Sequence, residues 1–525
     1  MIVVALGLIG CAVNQAVVPA EEAPVAAIEG APAAAPEVEP LAANELIILH
    51  TNDLHGHFLP ARANWIDGEP EIGGFVMIDS YVRELEATHG EDRVLLLDGG
   101  DILTGTPLTD MMVRGSMGGA MLEFMELTGY DAWVVGNHEF DKGFENINTL
   151  VASSAIPALS SNLLSPDGGA ALEGQVPSVV IESGELTVAV IGATTESLGH
   201  LTSSETMAQI DLLEVAGAVQ AEMARLDEES DLIVVLSHIG LDADKALAEA
   251  VDGIDLIVGG HSHTHLDEPE FVNNTWIVQA GSYGRSIGEL RIAVEEDAIA
   301  TFDGELVDLE SEEVFEGGRE EMIALASRYQ EAIEAEYGQV VGEALGDFGR
   351  SYSSESALGR WITDTLRDAT GAQVGVYNAG GIRADLVAGP LTGNDLFNVF
   401  PFSNQVVTFD VTGSDLIAIF IKNAAAEAFG DRGAVQISGV EVEWRMHGEV
   451  PELVSSKVAG EPIDPSALYR VATNSYMVDQ AERYLAGAEP MNVEPMGKSV
   501  FEVAMEQVRQ GAISPPENRR FIQVE

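Results

Sequence analysis

Apolar residues come in short, separate runs along this chain, and the polar stretches between them carry helical spacing. Runs dominated by apolar residues at 46–49, 94–97, 132–135, 187–191, 232–236 and 254–258 are near-continuous, not alternating. That pattern predicts strands buried on both faces, as in sheets with parallel strands covered by helices. Between several of them, residues 75–86, 117–127, 212–226 and 243–251 place apolar positions at the period of a helix. Residues 317–337 read as a polar, strongly helical stretch that follows an acidic loop at 308–315. Beyond about Val341 a new pattern begins, with a helix near 356–369, a strand ending at Tyr377 and further short elements. The reading is an α/β protein with one domain over 45–310, a helical connection over 311–340 and a second domain over 341–525. No internal repeat is visible.

The 525 residues suffice for about three units of ~150 residues, and a 46% hydrophobic content can fill large cores. The first ten residues (MIVVALGLIG) form an apolar stretch too short to span a bilayer. The stretch ends in Leu8-Ile9-Gly10-Cys11, which resembles the lipobox of bacterial lipoproteins. There the segment is cleaved before the cysteine and the cysteine is lipidated. The resemblance implies a signal segment over 1–11 and an exported protein that touches the membrane only through a lipidated Cys11. A plain signal peptide, or a tail with a chance cysteine, is the other reading. Residues 12–44 are mostly Ala, Pro, Glu and Val, a composition that cannot form a core and reads as a disordered tether. Cys11 is the only cysteine, so no intramolecular disulfide exists and no thiol serves a site in the folded domains.

Lys and Arg number 25 against 86 Asp and Glu, a net charge of −61. Such a surface repels nucleic-acid backbones and argues against a nucleic-acid polymer as partner. It leaves open a small phosphorylated substrate, because arginines and metal ions set the potential inside a pocket. The acidity suits a high-salt habitat or an ordinary acidic exported protein equally well.

Chemistry enters with five ordered blocks: Asp53-Leu54-His55, Gly100-Asp101, Gly136-Asn137-His138-Glu139, Ser237-His238 and Gly260-His261-Ser262-His263. Most lie just past a predicted strand, which places oxygen and imidazole ligands beyond the carboxyl ends of strands. A set of that size suits two divalent ions, with Zn, Mn, Mg and Ca all open. Asp53 and His55 can point to one side of an extended segment and share an ion with His263. Asp101 can bridge, while Asn137, His238 and His261 complete the second ion. His138 needs no ligand role, because Asp141 lies three residues on and can orient its imidazole. Asp98 is the competing carboxylate of the Asp101 block, and His50, His57 and His265 are expected to lie behind the ligands or at the surface.

The ordered set resembles the calcineurin-like metallophosphoesterase signature. Ile48-Leu49-His50-Thr51-Asn52-Asp53-Leu54-His55-Gly56, Gly136-Asn137-His138-Glu139-Phe140-Asp141 and Gln279-Ala280-Gly281-Ser282-Tyr283-Gly284-Arg285 resemble stretches of the 5′-nucleotidase family. That resemblance implies a four-layer α/β/β/α sandwich followed by an α+β substrate-binding domain. It implies two divalent metals held by Asp53, His55, Asp101, Asn137, His238, His261 and His263, with the pair His138 and Asp141 assisting phosphate release.

In the second domain, Asn378-Ala379-Gly380-Gly381-Ile382-Arg383 and Asn398-Val399-Phe400-Pro401-Phe402-Ser403-Asn404 resemble further blocks of the family. Arg383 would then grip the phosphate, Asn378 and Asn404 contact the nucleoside, and Phe402 and Tyr476 sandwich the base. The sequence departs from the family where Gly-Gly-Asp-Gly-Tyr/Phe is usual, reading Gln480-Ala481-Glu482-Arg483-Tyr484. Glu482 there replaces an aspartate that contacts the sugar. The second phosphate arginine of the family is expected at Tyr352, with Arg350 two residues earlier, and Arg360 is expected on a helix face. The implied reaction is hydrolysis of nucleoside 5′-phosphates for scavenging. Cyclic nucleotides, nucleotide-sugars or a sulfur compound as substrate, and a non-catalytic binding lipoprotein, are the competing readings.

Overall fold

A computed structural model of the chain describes residues 41–524 except 64–69, 227–228, 311–317 and 432. The expected signal segment with Cys11, nearly all of the expected tether and the start of the expected connection lie outside the described residues.

Two six-stranded sheets form the first half. One runs in the order Ala298–Asp308, Ser286–Glu295, Glu45–Thr51, Val94–Asp98, Ala132–Val134, Ala158–Leu159. Its last four strands are parallel, and the 286–308 hairpin closes one edge antiparallel. The second sheet runs Ser178–Ser183, Leu186–Thr194, Leu232–His238, Leu256–Val258, Thr275–Val278, Glu270–Val272, parallel at its centre and antiparallel at both edges.

Side chains alternate across each strand, and here both faces are covered. Leu46 and Ile48 point to the other sheet and pack with Leu95, Val188, Val234 and Leu256. Ile47 and Leu49 point outward and pack under helices that include Phe75–His89, Gly119–Thr128 and Phe144–Ser153. Helices Val215–Leu226 and Leu241–Ala250 cover the outer face of the second sheet through Val219, Met223 and Leu247. The result is a four-layer α/β/β/α sandwich.

Helix Glu320–Tyr337 is seated on the first sandwich. Met322, Ala326 and Tyr329 fall on one helical face and join the core beneath Phe75–His89. The Tyr329 hydroxyl donates to Glu123, and Arg319 ion-pairs with buried Asp79. An i, i+4, i+7 apolar stripe inside a polar stretch is easily overlooked, which is why the sequence alone reads it as a connection.

The remainder is α+β. A five-stranded mixed sheet runs Val435–Ser438, Val374–Asn378, Leu468–Asn474, Gln405–Thr412, Met491–Ser499. Helix Gly413–Phe429 packs one face through Leu416, Ile419 and Phe420, together with a four-stranded sheet bearing Val442 and Trp444. Helices Ala357–Thr370 and Val500–Arg509 pack the other. Arg360 sits in the first of these, buried, with its guanidinium donating to the Pro516 carbonyl. Among the described residues, no helix is long and apolar enough to cross a membrane.

Candidate active site

The carboxyl ends of five parallel strands, three from the first sheet and two from the second, meet along one edge of the sandwich. Asp53 follows Glu45–Thr51, Asp101 follows Val94–Asp98 and Asn137 follows Ala132–Val134. His238 ends Leu232–His238, and His261 and His263 follow Leu256–Val258. Five of these side chains stand on left-handed backbone: Asp53 (φ 51°), His55 (48°), Asp101 (57°), His261 (73°) and His263 (55°). L-residues adopt that region at a cost, and such strain clusters where geometry serves function. Gly100 and Gly260 make room, since a Cβ on Gly100 would meet the Val134 carbonyl oxygen at 2.6 Å and one on Gly260 the Gly99 carbonyl oxygen at 2.4 Å.

Two groups of ligand atoms result. Asp53, His55 and His263 form one, and Asp101, His238 and His261 the other, with the atoms of each group within 4.8 Å of one another. Asp101 lies between them, its Oδ2 3.1 Å from His238 Nε2 and 3.9 Å from His55 Nε2. A third grouping joins His55, Asp101 and His138. His55 Nδ1 donates to the carbonyls of Leu103 and Thr104, and His238 Nδ1 donates to that of Gly99 at 2.6 Å. Those bonds fix both tautomers and turn the Nε2 lone pairs inward, the usual support of a metal-binding imidazole.

The residues present fit divalent cations. Asp53 Oδ1, Asn137 Oδ1 and His238 Nε2 are buried and meet no aligned hydrogen-bond partner, although buried polar atoms nearly always find one. Protonation follows the same logic. Burial opposes ionisation of Asp53, but His263 and His238 outweigh it and hold its pKa at about 2. Burial likewise opposes Asp101, which His238 and His138 keep well below the carboxylate range. Burial and the charge of His138 hold His55 well below the histidine range, and burial with His238 brings His261 to about 4. Against burial, Asp101 raises His238 to about 10, so a metal ion bound there would have to displace its proton. Ionised carboxylates and neutral imidazoles are what a metal ion requires.

His138 sits apart in character. Its Nδ1 donates to Asp141 Oδ2 at 2.6 Å, its backbone N–H donates to Asp101 Oδ1 at 2.8 Å, and its Nε2 stands 3.9 Å from Asp101 Oδ2. Burial works against the imidazolium, yet Asp141 and Asp101 lift its pKa above the ordinary value.

A cavity of about 460 Å³ extends from this cluster to the second half of the chain. Arg350, Asn378, Arg383, Phe402, Asn404 and Tyr476 all line it. The Phe402 ring is 5.8 Å from His138, and Arg383 lies 5.9 Å over Phe402. Arg350 stacks 4.4 Å over Tyr352, so both residues at the shifted register reach the cavity. Asn378 accepts from Asn474, which also caps the helix bearing Tyr476. Across the cleft, the Tyr476 hydroxyl donates to the His200 carbonyl and Gln480 donates to that of Thr202.

The flanking histidines divide. His57 stacks 4.2 Å from Tyr283 beside the cavity, and His265 is exposed between Asp267 and Asp308. His50 is at neither expected place. It is fully buried in its strand against Gly288, neither nitrogen is hydrogen-bonded, and burial lowers its pKa to about 3. Its place in the 46–48–50 alternation is the signal for that. Asp98 accepts from Thr51 and the Gly100 N–H, away from the ligand atoms.

Sequence reasoning passes over several participants. Glu139 accepts from the backbone N–H groups of Gly136, Asp101, Ile102 and Leu103 and so clamps the Asp101 loop to the Asn137 loop. Asn52 holds Asp53 Oδ2 at 2.7 Å and ties it to Gly281. Both adjoin ligand blocks, which is the available signal. Arg285 and Arg483 also line the cavity; the first ends the family-like stretch 279–285 and the second lies in the divergent stretch 480–484, but neither stretch gave its arginine a role.

Comparison with known proteins agrees with this geometry. Residues 46–265 match the calcineurin-like phosphoesterase family, and residues 340–487 match the C-terminal domain of 5′-nucleotidase. The chain is 29% identical over 496 residues to Protein UshA of Escherichia coli (strain K12), covering 83% of this chain and 86% of that one. It is 27% identical over 522 residues to a probable 5′-nucleotidase of Treponema pallidum, with 83% and 86% covered. The structure of a 5′-nucleotidase precursor from Thermus thermophilus superposes with a TM-score of 0.82 at 25% identity, over 91% of this chain and 99% of that one. With a ligand cluster at the strand ends and a second lobe facing it, the chain belongs to the 5′-nucleotidase family and is a metal-dependent phosphoric monoester hydrolase.

Proposed function

We propose that this enzyme hydrolyses nucleoside 5′-monophosphates to nucleoside and inorganic phosphate. The observation that carries the reading is the continuous cavity joining the Asp–His cluster to Arg383, Phe402 and Tyr476. In this reading residues 45–310 do the chemistry, 311–340 connect, and 341–525 bind substrate. Asp53, His55 and His263 hold one divalent ion, Asn137, His238 and His261 the other, and Asp101 faces both. Two such ions, when bound, activate water and neutralise the phosphoryl oxygens. The chain's own residues do the rest. Arg383 and Arg350 grip the phosphate. Phe402 and Tyr476 flank the base, with Asn378 and Asn404 on the nucleoside, a mode that tolerates several bases. His138, held by Asp141, donates its proton to the leaving 5′ oxygen.

The lipobox-like Leu8-Ile9-Gly10-Cys11 supports an exported enzyme held on the membrane by lipid, where it would scavenge phosphate and nucleosides. A phosphate-release assay over nucleotides, cyclic nucleotides and nucleotide-sugars, with Zn²⁺, Mn²⁺, Mg²⁺ or Ca²⁺ supplied, tests the reaction. Release from nucleoside 5′-monophosphates is expected. No release from any of them under any of the metals would overturn the reading.

A further inference from the structure

In a chain with 25 basic residues against 86 acidic ones, four arginines line this one cavity: Arg285, Arg350, Arg383 and Arg483. Its two carboxylates, Asp101 and Asp141, are both committed to histidines. Arg383 lies over Phe402, which in turn adjoins His138, so that arginine belongs to the phosphate end. Arg483 is elsewhere. It sits on the short helix Ala481–Tyr484, 5.3 Å over the Tyr484 ring, and Tyr484 packs 5.8 Å from Tyr476. That is the end where the nucleoside would rest.

Among the described residues, Arg483 forms no ion pair. The neighbouring Glu482 is exposed and does not line the cavity, and its backbone carbonyl is taken by Lys422. Gln480 anchors the segment by donating to the Thr202 carbonyl across the cleft. The segment therefore presents a guanidinium, and no acid, to the nucleoside end. A guanidinium on an apolar, aromatic wall recognises phosphate or carboxylate through paired charge-assisted hydrogen bonds.

We propose that Arg483 selects substrates carrying a second anionic group on the nucleoside, and that nucleoside 3′,5′-bisphosphates are preferred over 5′-monophosphates. This rests on the 5′-nucleotidase reading of the cavity. In the reaction, a bond forms between a water oxygen and the 5′ phosphorus, the bond from phosphorus to the 5′ oxygen breaks, and that oxygen takes the His138 proton; one water proton stays on the released phosphate and the other restores His138. The products are nucleoside 3′-phosphate and inorganic phosphate, with the 3′ group held at Arg483.

The test compares kcat/KM for adenosine 3′,5′-bisphosphate and adenosine 5′-monophosphate in the full-length metal-loaded enzyme and in its Arg483→Gln and Arg483→Lys variants. The bisphosphate is expected to be favoured about tenfold, the size of one charge-assisted contact. The ratio should fall to about one in R483Q and to an intermediate value in R483K, which keeps the charge but not the paired hydrogen bonds. A ratio near one in the unaltered enzyme, or one that survives in R483Q, overturns the proposal. Calorimetric binding of the bisphosphate to the same three proteins reads Arg483 independently of turnover. If the bisphosphate binds tenfold more weakly to R483Q while neither nucleotide is hydrolysed, the 5′-nucleotidase reading fails and the anion subsite stands. If the monophosphate is hydrolysed and the bisphosphate shows no advantage in rate or binding, only the subsite fails.

Discussion

The two ends of the cavity are built differently. At the ligand end, side chains come from the ends of sheet strands, five of them on left-handed backbone and most fully buried. At the end proposed to take the nucleoside, Tyr476, Arg483 and Tyr484 ride on two short helices, Ser475–Asp479 and Ala481–Tyr484, and part of their placement comes from contacts across the cleft. The first end is held from both sheets at once, with Glu139 and Asn52 locking neighbouring loops together. Chemistry tolerates little misplacement, whereas base stacking tolerates a good deal.

That contrast can be broken in order of effect. His138→Ala should lower kcat by roughly 10²–10⁴-fold, the range for a lost general acid, while metal content by elemental analysis stays unchanged. Loss of metal instead would move His138 into the ligand set, as its grouping with His55 and Asp101 allows. Arg383→Ala should cost roughly 10²-fold in kcat/KM by steady-state kinetics, in line with a charge-assisted pair to phosphate. Phe402→Ala should raise KM for nucleotides about tenfold, the scale of one stacked base, with little change for a phosphate ester that lacks a base. Equal losses for both esters would mean that Phe402 supports the catalytic end and not the nucleoside.

The smallest effect lies off the cavity. Burial raises the Asp131 pKa to about 6, while its carboxylate accepts from the Leu96 N–H. A carboxyl raised on folding contributes its stability below its unfolded value near 4, and that stability is lost as pH rises through about 6. Asp131→Asn keeps the acceptor and removes the charge. By denaturant unfolding it should be more stable than the unaltered protein above pH 6 by about 1–2 kcal/mol, after discounting for its partly exposed position, and the difference should vanish near pH 4. Unchanged kcat in the same variant would separate the stability of the scaffold from the working of the site.

Much of the ligand end is legible in the sequence. Continuous apolar runs mark the central strands, and a polar ligand just past each run has only one place to go in a sheet of parallel strands. The edge hairpin at 286–308 escapes that reading, because its outer strand, Ala298–Asp308, alternates weakly and is largely exposed. His50 is misplaced when adjacency to a ligand block is weighed above its position in the strand. Arg350 stands between two readings because a shift of two residues in an irregular stretch has no periodic signal, and the structure brings both Arg350 and Tyr352 to the cavity.

The sequence by itself determined the α/β order, the candidate residues beyond the strand ends and the His138–Asp141 spacing, since each follows from local period or from position along one segment. Tertiary structure alone decided that helix Glu320–Tyr337 packs on the first sandwich, that Tyr476 and Gln480 reach the 199–202 segment, and that Arg483 faces the cavity while Glu482 faces solvent. The physical reason is range. Strand alternation fixes where a side chain points, but a short helix between loops takes its orientation from distant surfaces that press on it.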